Sequence, residues 1–169
     1  MTMADMKYTH LEAALRAYGQ EVADRYKERL VAEGKNATSA LYNSVRPMLV
    51  SSESGYILYL ALQDYWKYLE RGTRLQGPYK QRGLFPPVEP FRRWIKAKGI
   101  VPYRGKDGRL PTPNQLAFLI ARKVWRDGTK PYWFLRDSLS PEQEVAERMK
   151  EAVKADIEDW IQATIQEIR

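Results

Sequence analysis

The chain contains no cysteine and a single histidine, His10. Without cysteine there is no disulfide, no cysteine-rich zinc site and no cysteine nucleophile. With one histidine, zinc, haem and histidine-ligated iron sites lack ligands, and a Ser-His-Asp triad would have to use His10. This residue follows Thr9 in a predicted first helical turn, where an interior position in a capping box explains it better than catalysis. We therefore predict no cofactor and no enzymatic activity.

Long apolar runs are also missing. No stretch approaches the roughly 20 apolar residues that span a bilayer. The first residues, MTMADMKYTHLEAALRAYG, lack the apolar centre of a signal peptide. No glycine-rich loop matches a P-loop or a dinucleotide-binding fingerprint. We expect a soluble protein made in the cytoplasm, with no membrane contact.

The composition indicates a globular chain. Its 169 residues are 44% apolar and 12% aromatic, which is enough for one sizeable core. We predict a flexible N-terminus over residues 1–8 and a single domain over residues 9–169.

The most apolar part of the chain is Leu116–Leu139. A capping box at Thr112–Gln115, with proline in the first helical position, predicts a helix start. Gly128 is predicted to end this helix as a left-handed cap. Four large side chains, Tyr132–Leu135, follow and need a core or a partner to cover them. We predict that this stretch forms the core of the domain.

Two long amphipathic helices are predicted at the ends of the chain. A capping box at Thr9–Glu12 begins the first, which should run to about Glu33. Gly19 interrupts it and marks a close packing contact. The last helix covers residues 141–168 and could pack antiparallel to the first helix or project into a neighbouring subunit. Its apolar side contains Val145, Met149, Val153, Ile157, Trp160, Ile161, Ile165 and Ile168.

A β-hairpin is predicted between these helices, with strands at Val45–Val50 and Tyr56–Leu62. Both faces of the second strand are apolar, so either both are covered within the fold or another subunit covers one. Two shorter helices are predicted at 88–98 and 114–127. The fold class is therefore α+β, with long N- and C-terminal helices packed on a small antiparallel hairpin.

The net charge of +7 is unevenly distributed. Residues 84–139 contain 12 basic and 4 acidic residues, whereas residues 140–169 contain 4 basic and 8 acidic residues. The candidate contact residues lie between residues 74 and 109: Arg74, Lys80, Arg82, Arg92, Arg93, Lys96, Lys98, Arg104, Lys106 and Arg109. They could face DNA phosphates or an acidic protein, including the C-terminal helix of another copy, and charge alone does not separate these.

Two further functions are disfavoured. The two central helices imitate a helix-turn-helix, but the connection from Gly99 to Thr112 is far longer than the usual three or four residues. Acidic residues are scattered along helices, so a carboxylate-bound metal is the weakest alternative. Glu70 is the one acid set among aromatic residues, and we predict that it is a buried ion-pair partner; with no second group nearby, a catalytic role is disfavoured.

Three segments, in their order along the chain, resemble a protein family. They are SALYNSV at 39–45, YWKYLERGT at 65–73 and GTKPYWFLRDSL at 128–139. The pattern is similar to that of the tail-completion and head–tail joining proteins, the neck or minor tail proteins, of long-tailed bacteriophages. The matching residues are Thr38, Leu41, Ser44, Val45, Tyr68, Glu70, Gly72, Thr73, Gly128, Thr129, Phe134, Leu135 and Leu139. Ser39 stands where the pattern usually has glycine, and Trp133 where it usually has proline.

The resemblance covers residues 9–169 and implies a structural virion protein of the neck or tail, made in the host bacterial cytoplasm. Such proteins assemble as rings, commonly of six copies, around the DNA channel. The implied partners are the connector or adaptor and the tail tube or tail terminator proteins. The motif residues would be structural, and the basic residues would contact DNA or protein. The alternative is a non-specific nucleic-acid-binding accessory protein.

Overall fold

The computed structural model describes residues 7–35, 39–52, 55–73, 83–103, 108 and 110–167. Within this part the chain forms six α-helices and one two-stranded antiparallel sheet. The elements are α1 (Thr9–Ala32), α2 (Ala40–Ser44), β1 (Arg46–Ser52), β2 (Gly55–Ala61), α3 (Trp66–Arg71), α4 (Glu89–Ala97), α5 (Pro113–Asp127), a 3₁₀ turn (Arg136–Ser138) and α6 (Glu142–Glu167). The predicted α+β class is confirmed, with the long terminal helices packed on the hairpin.

The contacts divide the chain into two compact units. The first consists of residues 1–28, 44–62 and 135–169, and the second of residues 29–43 and 63–134. The hairpin, α6 and most of α1 belong to the first unit, and α3, α4 and α5 belong to the second. Each unit has its own buried residues, and the single domain predicted for residues 9–169 stays a prediction. Of the predicted flexible N-terminus, residues 1–6 lie outside the described part of the chain.

In the first unit, the hairpin packs one face against α1. Met48 lies opposite Tyr59 and Val50 opposite Ile57 in the antiparallel register. Side chains alternate between the two faces, as the sequence predicted. A Cβ built at Gly19 of α1 would lie 2.8 Å from Cδ1 of Leu58 on the inner face. Glycine at this position therefore allows helix and sheet to approach closely, which confirms the predicted packing contact.

The two long helices of this unit run antiparallel. Arg148 of α6 donates two hydrogen bonds of 2.8 Å to the carboxylate of Glu21 in α1. Further along, Asp156 of α6 meets Thr9 at the start of α1. Of the two arrangements that the sequence left open, packing against the first helix is the one found within the chain.

Asp156 supplies the hydrogen-bond acceptors for the first turn of α1. Its carboxylate is 1% exposed and accepts from the backbone amides of His10 (2.8 Å) and Leu11 (2.9 Å) and from the hydroxyl of Thr9 (3.2 Å). Amides in the first helical turn have no partner within the helix, and a negative charge there is favourable. Burial alone would raise the pKa of Asp156, but these hydrogen bonds outweigh it and lower the pKa.

The capping box predicted at Thr9–Glu12 is wrong. The Thr9 hydroxyl donates to Asp156, and the Glu12 carboxylate accepts two hydrogen bonds from Arg16. The acceptor comes from a residue far away in sequence, so no local pattern announces it. Beside this cap, Nε2 of His10 lies 2.9 Å from Oδ2 of Asp159, and this hydrogen bond raises the pKa of His10.

In the second unit, the predicted capping box of α5 is confirmed. The backbone N–H of Gln115 donates to Oγ1 of Thr112 (3.3 Å), and the backbone N–H of Thr112 donates to Oε1 of Gln115 (2.9 Å). Pro113 occupies the first helical position, as predicted. The helix then packs against α4. Among the described residues of this unit, the buried side chains are Leu30, Leu41, Glu70, Ile95, Ala117, Ala121 and Phe134.

The prediction that Leu116–Leu139 forms the core is only partly right. Phe134 is buried, as are the small side chains on one face of α5. However, Phe118, Leu119 and Trp125 are 45%, 46% and 37% exposed. A helix that is apolar nearly all round has more apolar surface than one packed face can cover.

Two glycines of this unit end helices in the same unusual conformation. Gly72 follows α3 with φ 69° and ψ −177°, and Gly128 follows α5 with φ 70° and ψ −169°. Only glycine adopts this region readily, and it differs in ψ from the left-handed cap predicted for Gly128. The threonines that follow bind each other: the amide of Thr73 donates to the carbonyl of Thr129 (3.1 Å), and the amide of Thr129 donates to Oγ1 of Thr73 (3.0 Å).

We expect Asp156→Asn to destabilise the protein by about 1–3 kcal/mol, because a buried charged acceptor of three hydrogen bonds is lost. Urea unfolding followed by circular dichroism measures this change. Glu158→Gln removes an exposed carboxylate from the same helix and should cost less than about 0.5 kcal/mol. Equal losses in the two variants would contradict the capping role.

The pH dependence of the free energy of unfolding distinguishes the contributions of Asp156 and His10. Because folding lowers the pKa of Asp156, its contribution is present above the ordinary carboxyl pKa and is lost as the pH falls through the folded value. Because folding raises the pKa of His10, its contribution is present below the ordinary imidazole pKa and is lost as the pH rises through the folded value. The decrease in the free energy of unfolding at acid pH should be smaller in Asp156→Asn. The decrease at higher pH should be smaller in His10→Gln.

Gly72→Ala should destabilise the second unit by about 3 kcal/mol or more, since the new Cβ adds a collision to an unfavourable φ. That atom would clash with the carbonyl oxygen of Thr129 and lie 2.8 Å from the nitrogen of Pro131. Gly83→Ala is the matched control, because Gly83 has φ +67° and open space around it. It should cost about 1–2 kcal/mol. Similar losses in urea unfolding would show that the backbone conformation alone matters.

Candidate interaction surfaces

Four of the ten candidate basic residues lie on or beside α4. The other six, Arg74, Lys80, Arg82, Arg104, Lys106 and Arg109, lie outside the described residues. Arg92 is paired with Glu89 of the same helix at 2.7 Å. Within the described ranges, no carboxylate lies at ion-pair distance from Arg93, Lys96 or Lys98. Three cations of the predicted set are therefore available to a partner.

An open groove with a volume of about 670 Å³ runs beside α4. Ile95, Ile100 and Val101 provide apolar walls, and Val101 is 82% exposed. The positive side chains on the groove belong to Arg92, Arg93 and Lys96. Lys98 follows the helix end and does not line the groove; its Nζ lies near Gly34. The structure thus brings three of the predicted contact residues together around an apolar floor.

Exposed aromatic rings form a second surface in the same unit. Phe85 stacks on Phe118 with a centroid distance of 5.3 Å and lies 6.2 Å from the ring of Trp125. All three rings are more than a third exposed. Exposed rings of this kind can stack on nucleic-acid bases or pack against a protein. The sequence predicted Phe118 and Trp125 to be core, so this surface was missed.

In the first unit, the outer face of the hairpin is apolar and uncovered. Met48, Val50, Ile57 and Tyr59 are each about half exposed and form two cross-strand pairs. The sequence left open whether this face is covered within the fold, and within the described part of the chain it is not. Contiguous apolar surface of this kind is a candidate interaction site.

The apolar side of α6 is divided. Val145, Met149 and Val153 are half-buried, whereas Ile157, Ile161 and Ile165 are exposed at helical spacing and form a stripe. Ile168 lies outside the described residues. Residues 155–167 contain four carboxylates and no basic residue. Asp156 is buried in the cap of α1 and Asp159 is hydrogen-bonded to His10, so the end of α6 presents the isoleucine stripe together with the exposed carboxylates of Glu158 and Glu167.

Most residues that carry the family resemblance occupy framework positions, whereas Leu139 is 51% exposed. Leu41, Glu70 and Phe134 are buried, and Ser44 ends α2. Tyr68 lies in α3, Gly72, Thr73, Gly128 and Thr129 form the paired helix ends, and Leu135 precedes the 3₁₀ turn. The amides of Tyr132 and Trp133 also donate to the carbonyls of Leu69 and Glu70. The second and third segments are therefore hydrogen-bonded to each other; Thr38 of the first lies outside the described residues.

The two departures from the family pattern both have positive φ. Ser39 has φ 53°, a conformation that the glycine of the pattern would adopt more easily. Trp133 has φ 55°, which a proline cannot adopt. The local backbone at Trp133 therefore differs from one built around the usual proline.

Among the described residues, no group of three or more histidine, cysteine, aspartate or glutamate side chains is placed to hold a metal ion. None of the described helices is both long and apolar enough to cross a membrane. Compared with protein-family models, with curated proteins and with solved structures, the chain gives no match. The interpretation of these surfaces therefore depends on their geometry and charge.

Ile57→Lys should change the free energy of unfolding by less than about 0.5 kcal/mol, because this side chain lies on the uncovered face. Leu58→Lys, at the neighbouring position, should cost several kcal/mol, because its side chain faces Gly19 of α1 and would place a charge in an apolar contact. Urea unfolding of both variants measures the difference. Equal costs would show that the outer face is covered.

Proposed function

We propose that the protein is a structural component of a phage particle. In this proposal it forms a ring in the neck or tail, around the DNA channel, and joins the completed tail to the head. The observation that carries the proposal is the exposed apolar surface on the hairpin and on α6. Contiguous apolar patches are rarely left uncovered on monomers, and partner proteins in an assembly would cover them.

The positions of the motif residues support the same role. The segments that resemble the phage family supply buried side chains and paired helix ends, and these residues specify an architecture. A structural protein needs such a framework and no reaction centre. The resemblance itself lies in the order of the three segments, so it concerns the whole chain and not one motif.

The cations on α4 support an arrangement with a negative neighbour. Arg93 and Lys96 would face either phosphates in the channel or an acidic surface of a connector, adaptor, tube, terminator or neighbouring copy. Phosphate contacts require positive charge and no sequence-specific geometry, so a channel lining built this way would pass any DNA.

Purified particles of the phage or prophage that encodes this chain provide the test. We expect the protein at a fixed low copy number, close to that of the portal or tail-tip proteins, when particle proteins are quantified by mass spectrometry. Deletion of the gene should leave separate heads and tails, and a plasmid copy should restore joined particles. Joined particles of normal yield without the gene would refute the proposal.

A non-specific nucleic-acid-binding role is the second candidate. The cations of α4 and the exposed rings of Phe85, Phe118 and Trp125 in the same unit favour it, since single strands bind to grooves that combine positive charge with stacking surfaces. This role requires an affinity for DNA that falls steeply with salt concentration, as counterion release dictates. Absence of the protein from particles together with such a salt dependence would favour this candidate.

A further inference from the structure

We infer that the groove beside α4 binds the exposed isoleucine stripe at the end of α6 from a second copy of this chain. The contact is an acidic helix lying in a basic-rimmed apolar groove. It rests on the oligomeric part of the proposed function and names the surfaces through which neighbouring copies meet.

The groove needs a partner that is both apolar and acidic. Ile100 and Val101 offer apolar surface that phosphates cannot cover, so DNA alone would leave Val101 in water. Arg93 and Lys96 lie at the same opening and have no carboxylate partner among the described residues. An amphipathic helix with carboxylates beside its apolar stripe satisfies both parts of the groove.

The end of α6 has these properties. Ile157, Ile161 and Ile165 follow one another at one-turn spacing and are exposed. Glu158 lies one turn before Ile161, on the side of the stripe, and is exposed. Residues 155–167 contain no basic residue, and Lys154 lies one turn before Glu158.

The two surfaces also match in length. The stripe from Ile157 to Ile165 spans about 12 Å at the rise of an α-helix, and α4, which has nine residues, spans about the same distance. Stripe and groove are different surfaces, so the contact is heterologous. Repeated contacts of this kind generate a ring when the rotation between copies closes.

Cysteine cross-linking tests the contact, and the chain has no native cysteine to interfere. One preparation carries Val101→Cys in the groove and the other carries Ile161→Cys on the stripe. We expect a short bismaleimide to join the mixed full-length chains at least about tenfold faster than a control pair of Lys123→Cys and Ile161→Cys. Lys123 is exposed on α5 and does not line the groove. Equal rates for the two pairs would overturn the inference.

Charge reversal in the same assay tests the complementarity. Lys96→Glu in the groove partner and Glu158→Lys in the stripe partner should each slow the 101–161 cross-link by about tenfold, and the two together should restore it. Lys123→Glu and Glu28→Lys, which make the same charge changes elsewhere, should leave the rate unchanged. If each single variant slows the cross-link and the double combination does not restore its rate, the pairing of Lys96 with Glu158 is contradicted. A cross-link no faster than the control, together with DNA binding that Lys96→Glu abolishes, would assign the groove to nucleic acid instead.

The outcomes separate this interface from the proposed function. A protein found in particles at fixed copy number, but without the specific cross-link, would overturn the interface and keep the virion role. A specific cross-link in a protein absent from particles would keep the interface and overturn the virion role.

Discussion

The first unit depends on a contact made by Asp156, which lies in the last helix and caps the first. The free amides at the start of α1 need acceptors, and a buried carboxylate needs donors. Each requirement satisfies the other, so the two ends of the described chain are joined by hydrogen bonds to a charged group. The ion pair of Glu21 with Arg148 then fixes the same helices further along. The hairpin packs on a helix whose position this contact sets.

Local signals in the sequence predicted the elements well. The capping box at Thr112–Gln115 gives the start of α5 because all of its atoms lie within one turn. Alternating apolar residues gave the hairpin and the direction of each side chain in β2. The prediction of a capping box at Thr9–Glu12 was wrong because the residue that caps this helix is distant in sequence. Asp156 accepts the hydrogen bonds of the first turn of α1, and a contact between residues so far apart leaves no pattern in the local sequence.

The surfaces were less predictable than the elements. Apolar periodicity shows that Ile157 and Val153 share a side of α6, but the covered part depends on where α1 and the hairpin end. Phe118 and Trp125 were predicted to be core because large aromatic side chains usually are. In the structure Ala117 and Ala121 occupy the buried face instead. The basic character of α4 was evident from the sequence; the groove beside it depends on the folded path of residues 99–101 and Pro113.

The paired helix ends at Thr73 and Thr129 have a consequence for how this chain can vary. Residues 74–128 lie between these threonines in the sequence, and the hydrogen bonds between Thr73 and Thr129 hold the two ends of this stretch together. Doubling the length of a flexible closed segment costs only about 0.6 kcal/mol in closure entropy. Ile95, Ala117 and Ala121 of this stretch are buried, so insertions and deletions should be tolerated in the connections outside α4 and α5. The basic helix and its groove lie between these two glycine stops, so a related chain with the same stops could carry a different binding surface there.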